Sequence, residues 1–176
     1  AAPARPPQAV QNAELAELFE QLADLLAIEG ANPFRIRAYR NAARVIRGHS
    51  RQMSRLVEAG ADLAELRGIG KDLAGKIETI VRTGRFPLLE QVRKRVPAAL
   101  VEMTRIEGLG PKRAKRLYDA LRIRSLEDLQ RAARSGRIRK LKGFGARTEQ
   151  LIAQRAARVA AAEPRLRPLH AQRPAR

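Results

Sequence analysis

The chain has 176 residues, of which 44% are hydrophobic but only 3% aromatic, so its core must be built from Leu, Ile, Val and Ala. Lys and Arg number 36 against 18 Asp and Glu, a formal charge of +18 that suits a polyanionic partner. The lack of Cys excludes disulfides and thiolate metal sites, His49 and His170 lack metal-ligand spacing, and no apolar run approaches the ~20 residues of a membrane span.

Good helix formers dominate and β-branched and aromatic residues are scarce, so the composition predicts an all-α fold. Residues 1–11 and 163–176 are rich in Ala, Pro and Arg and read as a disordered leader and a disordered basic tail. Asn12 is expected to cap a helix reaching about Glu29, with Leu15, Phe19, Leu22 and Leu26 at helical spacing and Gly30 ending it. Asn32 before Pro33 signals a second helix, which exposes Arg35, Arg37, Arg40, Arg44 and Arg47. Its inner face carries Ile36, Tyr39, Ala43 and Ile46. A short helix follows around Met53 to Glu58, and Asp62 caps another short element holding Leu63 and Leu66.

Beyond Leu66 the chain repeats itself. Gly68-Ile69-Gly70 precedes a helix from Lys71 to Thr83, and Gly108-Leu109-Gly110 precedes one from Pro111 to Leu121. Gly143-Phe144-Gly145 precedes a third, from Ala146 to about Ala162. The copies stand about 40 and 35 residues apart, as repeated supersecondary units do. Between the second and third, Ser125 with Asp128 marks a helix start and Gly136 its end.

A glycine pair flanking one apolar residue permits a sharp turn and leaves no side chain before an approaching ligand. The apolar residue plugs the core, and the next helix presents its free N–H groups and positive dipole end. That combination makes a phosphate site. Basic residues trail each turn: Lys71, then Lys112 and Arg113, then Arg147. Contacts of this kind go to the nucleic-acid backbone, so binding is expected to be independent of sequence and sensitive to salt.

The segment from Asn12 to Ile152, roughly four-fifths of the chain, resembles the amino-terminal part of family X DNA polymerases, the bacterial PolX kind especially. Three runs in order carry the resemblance: RIRAYRNAARVI from Arg35 to Ile46, GIGKDLAGKI from Gly68 to Ile77, and GLGPKRAK from Gly108 to Lys115, continuing into SLEDL at Ser125 to Leu129. It implies a small helical lyase-like domain, residues 12–84 with the first hairpin, followed by a fingers-like helical subdomain, residues 85–162 with the second and third. By resemblance Arg35, Tyr39 and Arg40 join the DNA contacts, with Gly68, Gly70, Gly108 and Gly110 approaching phosphates; Gly143 and Gly145 are added as DNA contacts on the repeat of the turn. The carbonyls of Leu66, Ile69, Thr104, Ile106 and Leu109 match positions that hold Na+ or K+ in family members; no other cofactor is implied. The third turn departs from the pattern, placing Glu149 where Ala is usual.

Lys76 matches the family lysine that forms a Schiff base with a sugar aldehyde before β-elimination of phosphate. Such an amine must be neutral to attack, a condition that desolvation and the nearby cations Arg35, Arg40 and Lys71 would favour. Phe34 stands where some lyase-active members carry His, and Asp72 where they carry Lys; Asp72 lies four residues before Lys76 and favours an ion pair with it. No Asp follows Asp128, so the aspartate triad for two-metal nucleotidyl transfer is not in this chain.

These features lead to an expectation of a sequence-independent module for gapped, nicked or 5′-phosphorylated DNA in base excision repair, cytoplasmic and nucleoid-associated, working with a separate polymerase or ligase. A deoxyribose-phosphate or abasic-site lyase using Lys76 is the first alternative, and a non-catalytic structural nucleic-acid-binding protein the second.

Overall fold

A computed structural model describes residues 9–162, so the leader expected at 1–11 falls mostly outside the described residues and the tail at 163–176 wholly so. Nine α-helices stand among the described residues: α1 (Asn12–Glu29), α2 (Pro33–Gly48), α3 (Met53–Glu58), α4 (Lys71–Thr83), α5 (Pro87–Arg95), α6 (Ala98–Thr104), α7 (Pro111–Leu121), α8 (Leu126–Arg134) and α9 (Ala146–Ala162). Two short 3-10 turns, Leu63–Glu65 and Ile138–Lys140, lead into the first and third glycine turns. The all-α expectation holds.

The chain divides into two compact units between Arg95 and Val96. The boundary expected at 84/85 is therefore one helix early. Leu89 and Val92 of α5 are fully buried, and α5 packs on α1, so burial of its apolar stripe ties it to the first unit. Arg95 adds a forked pair to Glu29, with N···O distances of 2.8 and 3.0 Å.

In the first unit α1 is the central element, packing on both α2 and α5. This is why nine of its residues are buried and not a single narrow stripe. Phe19 sits between Tyr39, at 6.0 Å between ring centroids, and Phe86, at 5.1 Å. A fully buried Phe of this kind contributes about 3 kcal/mol or more. Asn12 does not cap α1. Gln11 is the cap residue, its N–H bonded by the Glu14 carboxylate at 2.8 Å. Asn12 is instead buried, donating Nδ2 to the Arg51 carbonyl and accepting from the Met53 N–H, both at 2.8 Å. It clips the start of α1 to the start of α3. The caps expected at Asn32, Asp62 and Ser125 do form: each side chain accepts a backbone N–H, from Phe34, Ala64 and Asp128 respectively.

The second unit is built from α6 to α9, with α6 on α7 and α8 on α9. Met103, Ile106, Leu117, Leu129 and Ile138 form its buried centre. Ala114 of α7 and Ala156 of α9 are fully buried, and their small side chains let these helices approach their neighbours closely.

Candidate nucleic-acid interface

The three glycine turns are built alike, hydrogen bond for hydrogen bond. In the first, Leu66 N–H donates to Leu63 O and Ile69 N–H to Leu66 O, both at 3.0 Å. The second repeats this with Met103, Ile106 and Leu109 at 3.1 and 2.9 Å, and the third with Ile138, Leu141 and Phe144 at 3.0 Å. The plugging residues Ile69, Leu109 and Phe144 are all buried. Two successive tight turns of this kind require a left-handed residue, supplied by Gly68, Gly108 and Gly143, with φ of 88°, 93° and 91°.

The second glycines do something else. Gly70 and Gly110 have extended backbones that any residue adopts, yet a side chain there would project into open space. Each starts a helix: the carbonyls of Gly70, Gly110 and Gly145 accept from Ala74, Ala114 and Glu149 at 2.9 Å. No side chain caps α4 or α7. Their first-turn amides therefore face outward unsatisfied, beside exposed glycines, at the positive end of the helix dipole. All six glycines are exposed. Pro111 loses nothing at the first position of α7, because that N–H would be unpaired anyway.

Charge is unevenly shared. Residues 96–162 carry sixteen Lys or Arg against six Asp or Glu, whereas residues 9–95 carry fifteen against eleven. Many cations of the first unit are neutralised: Arg40 by Asp24, Arg47 by Glu20, Arg85 by Glu90 and Lys76 by Asp72. Lys71, Lys112, Arg113 and Arg147 are exposed beside their turns without carboxylate partners among the described residues.

Around Lys76 the sequence-based picture needs correction. Lys76 lines a cleft of about 400 Å³ with Lys71, Asp72, Thr79, Phe86 and Leu88. Of the three cations expected to assist it, only Lys71 lines that cleft. Arg40 lines a separate cleft of about 510 Å³ with Glu20, Arg44 and Arg47, and is spent on Asp24 at 2.9 Å. Nor is Tyr39 an exposed contact, at 3% exposure with its ring stacked on Phe19. It is the plate on which Arg35 rests, 6.0 Å from the ring centroid.

The carbonyls expected to hold a monovalent cation fit unequally. Leu66 O and Ile106 O each accept one hydrogen bond and keep a second lone pair. Two guanidinium groups already attend the second turn, Arg155 at Glu107 O and Arg113 at Gly108 O, and their charge opposes another cation there. At the first turn the neighbour of Gly68 is the apolar Val45, and among the described residues no guanidinium is seen bonded to the carbonyls of Leu66 and Ile69.

Three features have surroundings that the sequence did not reveal. Phe34 is 74% exposed, the large hydrophobic that stands out among the described residues, and Arg37 lies 5.6 Å over its ring. Arg116 and Arg155 reach turns distant in sequence, which no local pattern announces. Glu149 is buried and binds the 3-10 turn ahead of the third hairpin, accepting from the Arg139 N–H at 3.0 Å and Nε at 2.7 Å.

Residues 10–86 match a helix-hairpin-helix domain model, and residues 100–158 a SAM-like helix-hairpin-helix tandem. The chain is thus a helix-hairpin-helix protein in both units. Over 141 residues it is 32% identical to the DNA polymerase/3′-5′ exonuclease PolX of Bacillus subtilis (strain 168), a match covering 80% of this chain and 24% of the relative. It belongs with the amino-terminal region of the PolX-type polymerases of family X, and spans about a quarter of the length of that relative.

Proposed function

We propose that this chain is a sequence-independent grip for gapped or 5′-phosphorylated DNA, acting in repair. The observation that carries the reading is the set of three congruent turns, each offering an exposed glycine at the head of a helix with basic residues beside it. Backbone amides and Lys or Arg side chains recognise phosphate without reading bases. The preference for a gap is supported by Phe34, an exposed ring flanked by Arg35 and Arg37, because unpaired bases stack on aromatic side chains and intact duplex offers none. The relative's name, DNA polymerase/3′-5′ exonuclease PolX, sets a polymerase activity beside such a module, and in this reading a polymerase or a ligase takes over the bound gap. Na+ or K+ at the carbonyls of Leu66 and Ile69 would help neutralise a phosphate there.

The test is a titration of the chain against intact, nicked and one-nucleotide-gapped duplexes, with and without the 5′-phosphate, at two salt concentrations. Tightest binding to the gapped, 5′-phosphorylated duplex and a steep loss with salt are expected. Equal affinity for intact duplex, or for RNA, would make the chain a structural nucleic-acid-binding protein. A second reading, a deoxyribose-phosphate or abasic-site lyase, is favoured by the cleft at Lys76 and opposed by the Asp72 pair. Trapping an adduct with borohydride, and its loss in Lys76→Ala, tests it.

A further inference from the structure

We propose that Arg116 and Arg155 are phosphate-binding residues exchanged between the second and third hairpins, so that the two turns hold the nucleic-acid backbone as one coupled site. Arg155 belongs to α9, the helix after the third turn, yet its Nη1 donates to the Glu107 carbonyl of the second turn at 2.7 Å. A Cβ placed on Gly108 would stand 3.0 Å from that same nitrogen. In the other direction, Arg116 of α7, the helix after the second turn, brings Nη1 to 3.3 Å from where a Cβ on Gly143 would lie. Its guanidinium rests over the Phe144 ring at 5.3 Å, beside that of Arg113 at 5.4 Å. Each turn therefore carries a guanidinium from the helix that follows the other.

The charge on these two side chains is not needed to balance an acid. Arg155 bonds a neutral carbonyl and Arg116 stacks on a ring, and neither pairs with a carboxylate among the described residues. A guanidinium has five N–H donors in a planar fork, so one bond to Glu107 O leaves Arg155 able to take phosphate. Glycine at 108 and 143 is what leaves room for the two groups at the turn surface. The first turn has no such visitor, since Gly68 faces Val45. The inference deepens the DNA-binding reading and rests on it.

The experiment uses the full chain and a labelled, 5′-phosphorylated one-nucleotide-gapped duplex, with affinity measured across a salt series. Arg116→Gln and Arg155→Gln are each expected to weaken binding about tenfold and to lower the slope of log K against log salt by about 1, as losing one phosphate contact does. The double variant should lose less than the product of the two, because the turns act together, whereas Lys71→Gln at the first turn should combine multiplicatively with either. Arg158→Gln, exposed on the same helix as Arg155, should change the slope less than either. Weakened affinity with an unchanged slope and a lowered melting temperature would show that the two arginines only brace the fold, and would overturn the proposal. So would unaltered affinity in both variants while Lys112→Gln weakens binding, an outcome that leaves the DNA-binding reading intact. Failure of the wild-type chain to bind the duplex would instead remove the reading beneath it.

Discussion

Both carboxylate oxygens of Asp72 lie 2.8 Å from Nζ of Lys76, one helical turn away on α4. The Lys76 side chain is 23% exposed and Asp72 78%. A nitrogen engaged by both carboxylate oxygens must leave that pair before it can attack an aldehyde. An ion pair four residues apart on a helix is worth about 0.3–0.5 kcal/mol, roughly a factor of two. Under the lyase reading, removing the pair should therefore help Lys76 only modestly. Asp72→Asn is expected to raise the yield of borohydride-trapped adduct on abasic DNA about twofold, with Lys76→Ala giving none. No adduct from either wild type or Asp72→Asn would leave Lys76 as a phosphate contact.

The two glycines of each turn separate folding from binding. Gly68→Ala adds a methyl 2.9 Å from Val45 Cγ2 at a φ of 88°, so steric overlap and backbone strain act together. A loss of about 1–3 kcal/mol in stability is expected. Gly110→Ala meets nothing within 4 Å, and its extended backbone suits alanine. Its melting temperature should stay near that of wild type while affinity for gapped DNA falls, because the new methyl occupies the phosphate approach. If Gly110→Ala binds as wild type does, phosphate does not contact this turn.

Helix ends and hairpins were legible because their chemistry is local. Asn32 before Pro33, Asp62, and Ser125 with Asp128 each act within three residues, and the glycine spacing marks the turns directly. What escaped depends on residues distant in the chain. Asn12 looks like a cap until the segment near residue 52 arrives to bond it. Tyr39 lies in a basic run that resembles a contact surface, yet Phe19 and α1 bury it. The division between units fell one helix later than expected because the apolar face of α5 found α1. Glu149 was visible as a departure from the pattern, but its partner on the 3-10 turn was not.

That partner makes the third hairpin sensitive to acid. Burial acts to raise the Glu149 carboxyl, but hydrogen bonds from Arg139 N–H and Nε, together with the Arg139 charge, outweigh it and hold the group below the ordinary glutamate range. A folded-state value below the unfolded one contributes stability that is complete above about pH 4.3 and disappears as pH falls through the lowered folded value. Thermal unfolding followed from pH 7 to pH 3 should therefore show a decline that Glu149→Gln reduces. At pH 7, Glu149→Ala is expected to cost about 1–3 kcal/mol, because it leaves the Arg139 N–H unsatisfied in a partly buried site. A pH profile identical in wild type and Glu149→Gln would show that the carboxylate contributes nothing to the turn.

Arg122 ends α7 with φ 52° and ψ 44°, the one left-handed non-glycine residue among the described residues. The conformation places its Cβ against the following carbonyl at a cost of about 1–2 kcal/mol, which glycine would not pay. The flanking structure enforces it: Ile123 is buried directly afterwards, and the Arg124 N–H is held by the Asp128 carboxylate at 2.9 Å. With that geometry fixed from both sides, Arg122→Gly should relieve the strain while raising the entropy of the unfolded chain. A net gain of roughly 0.5–1 kcal/mol follows, about 2–8 °C in melting temperature for a unit of this size. Among the described residues no side-chain hydrogen bond, ion pair or ring contact ties Arg122 to the three turns, so affinity for gapped DNA should fall only by the loss of one charge. A lower melting temperature in Arg122→Gly would mean that the arginine side chain contributes more to the end of α7 than its backbone strain removes.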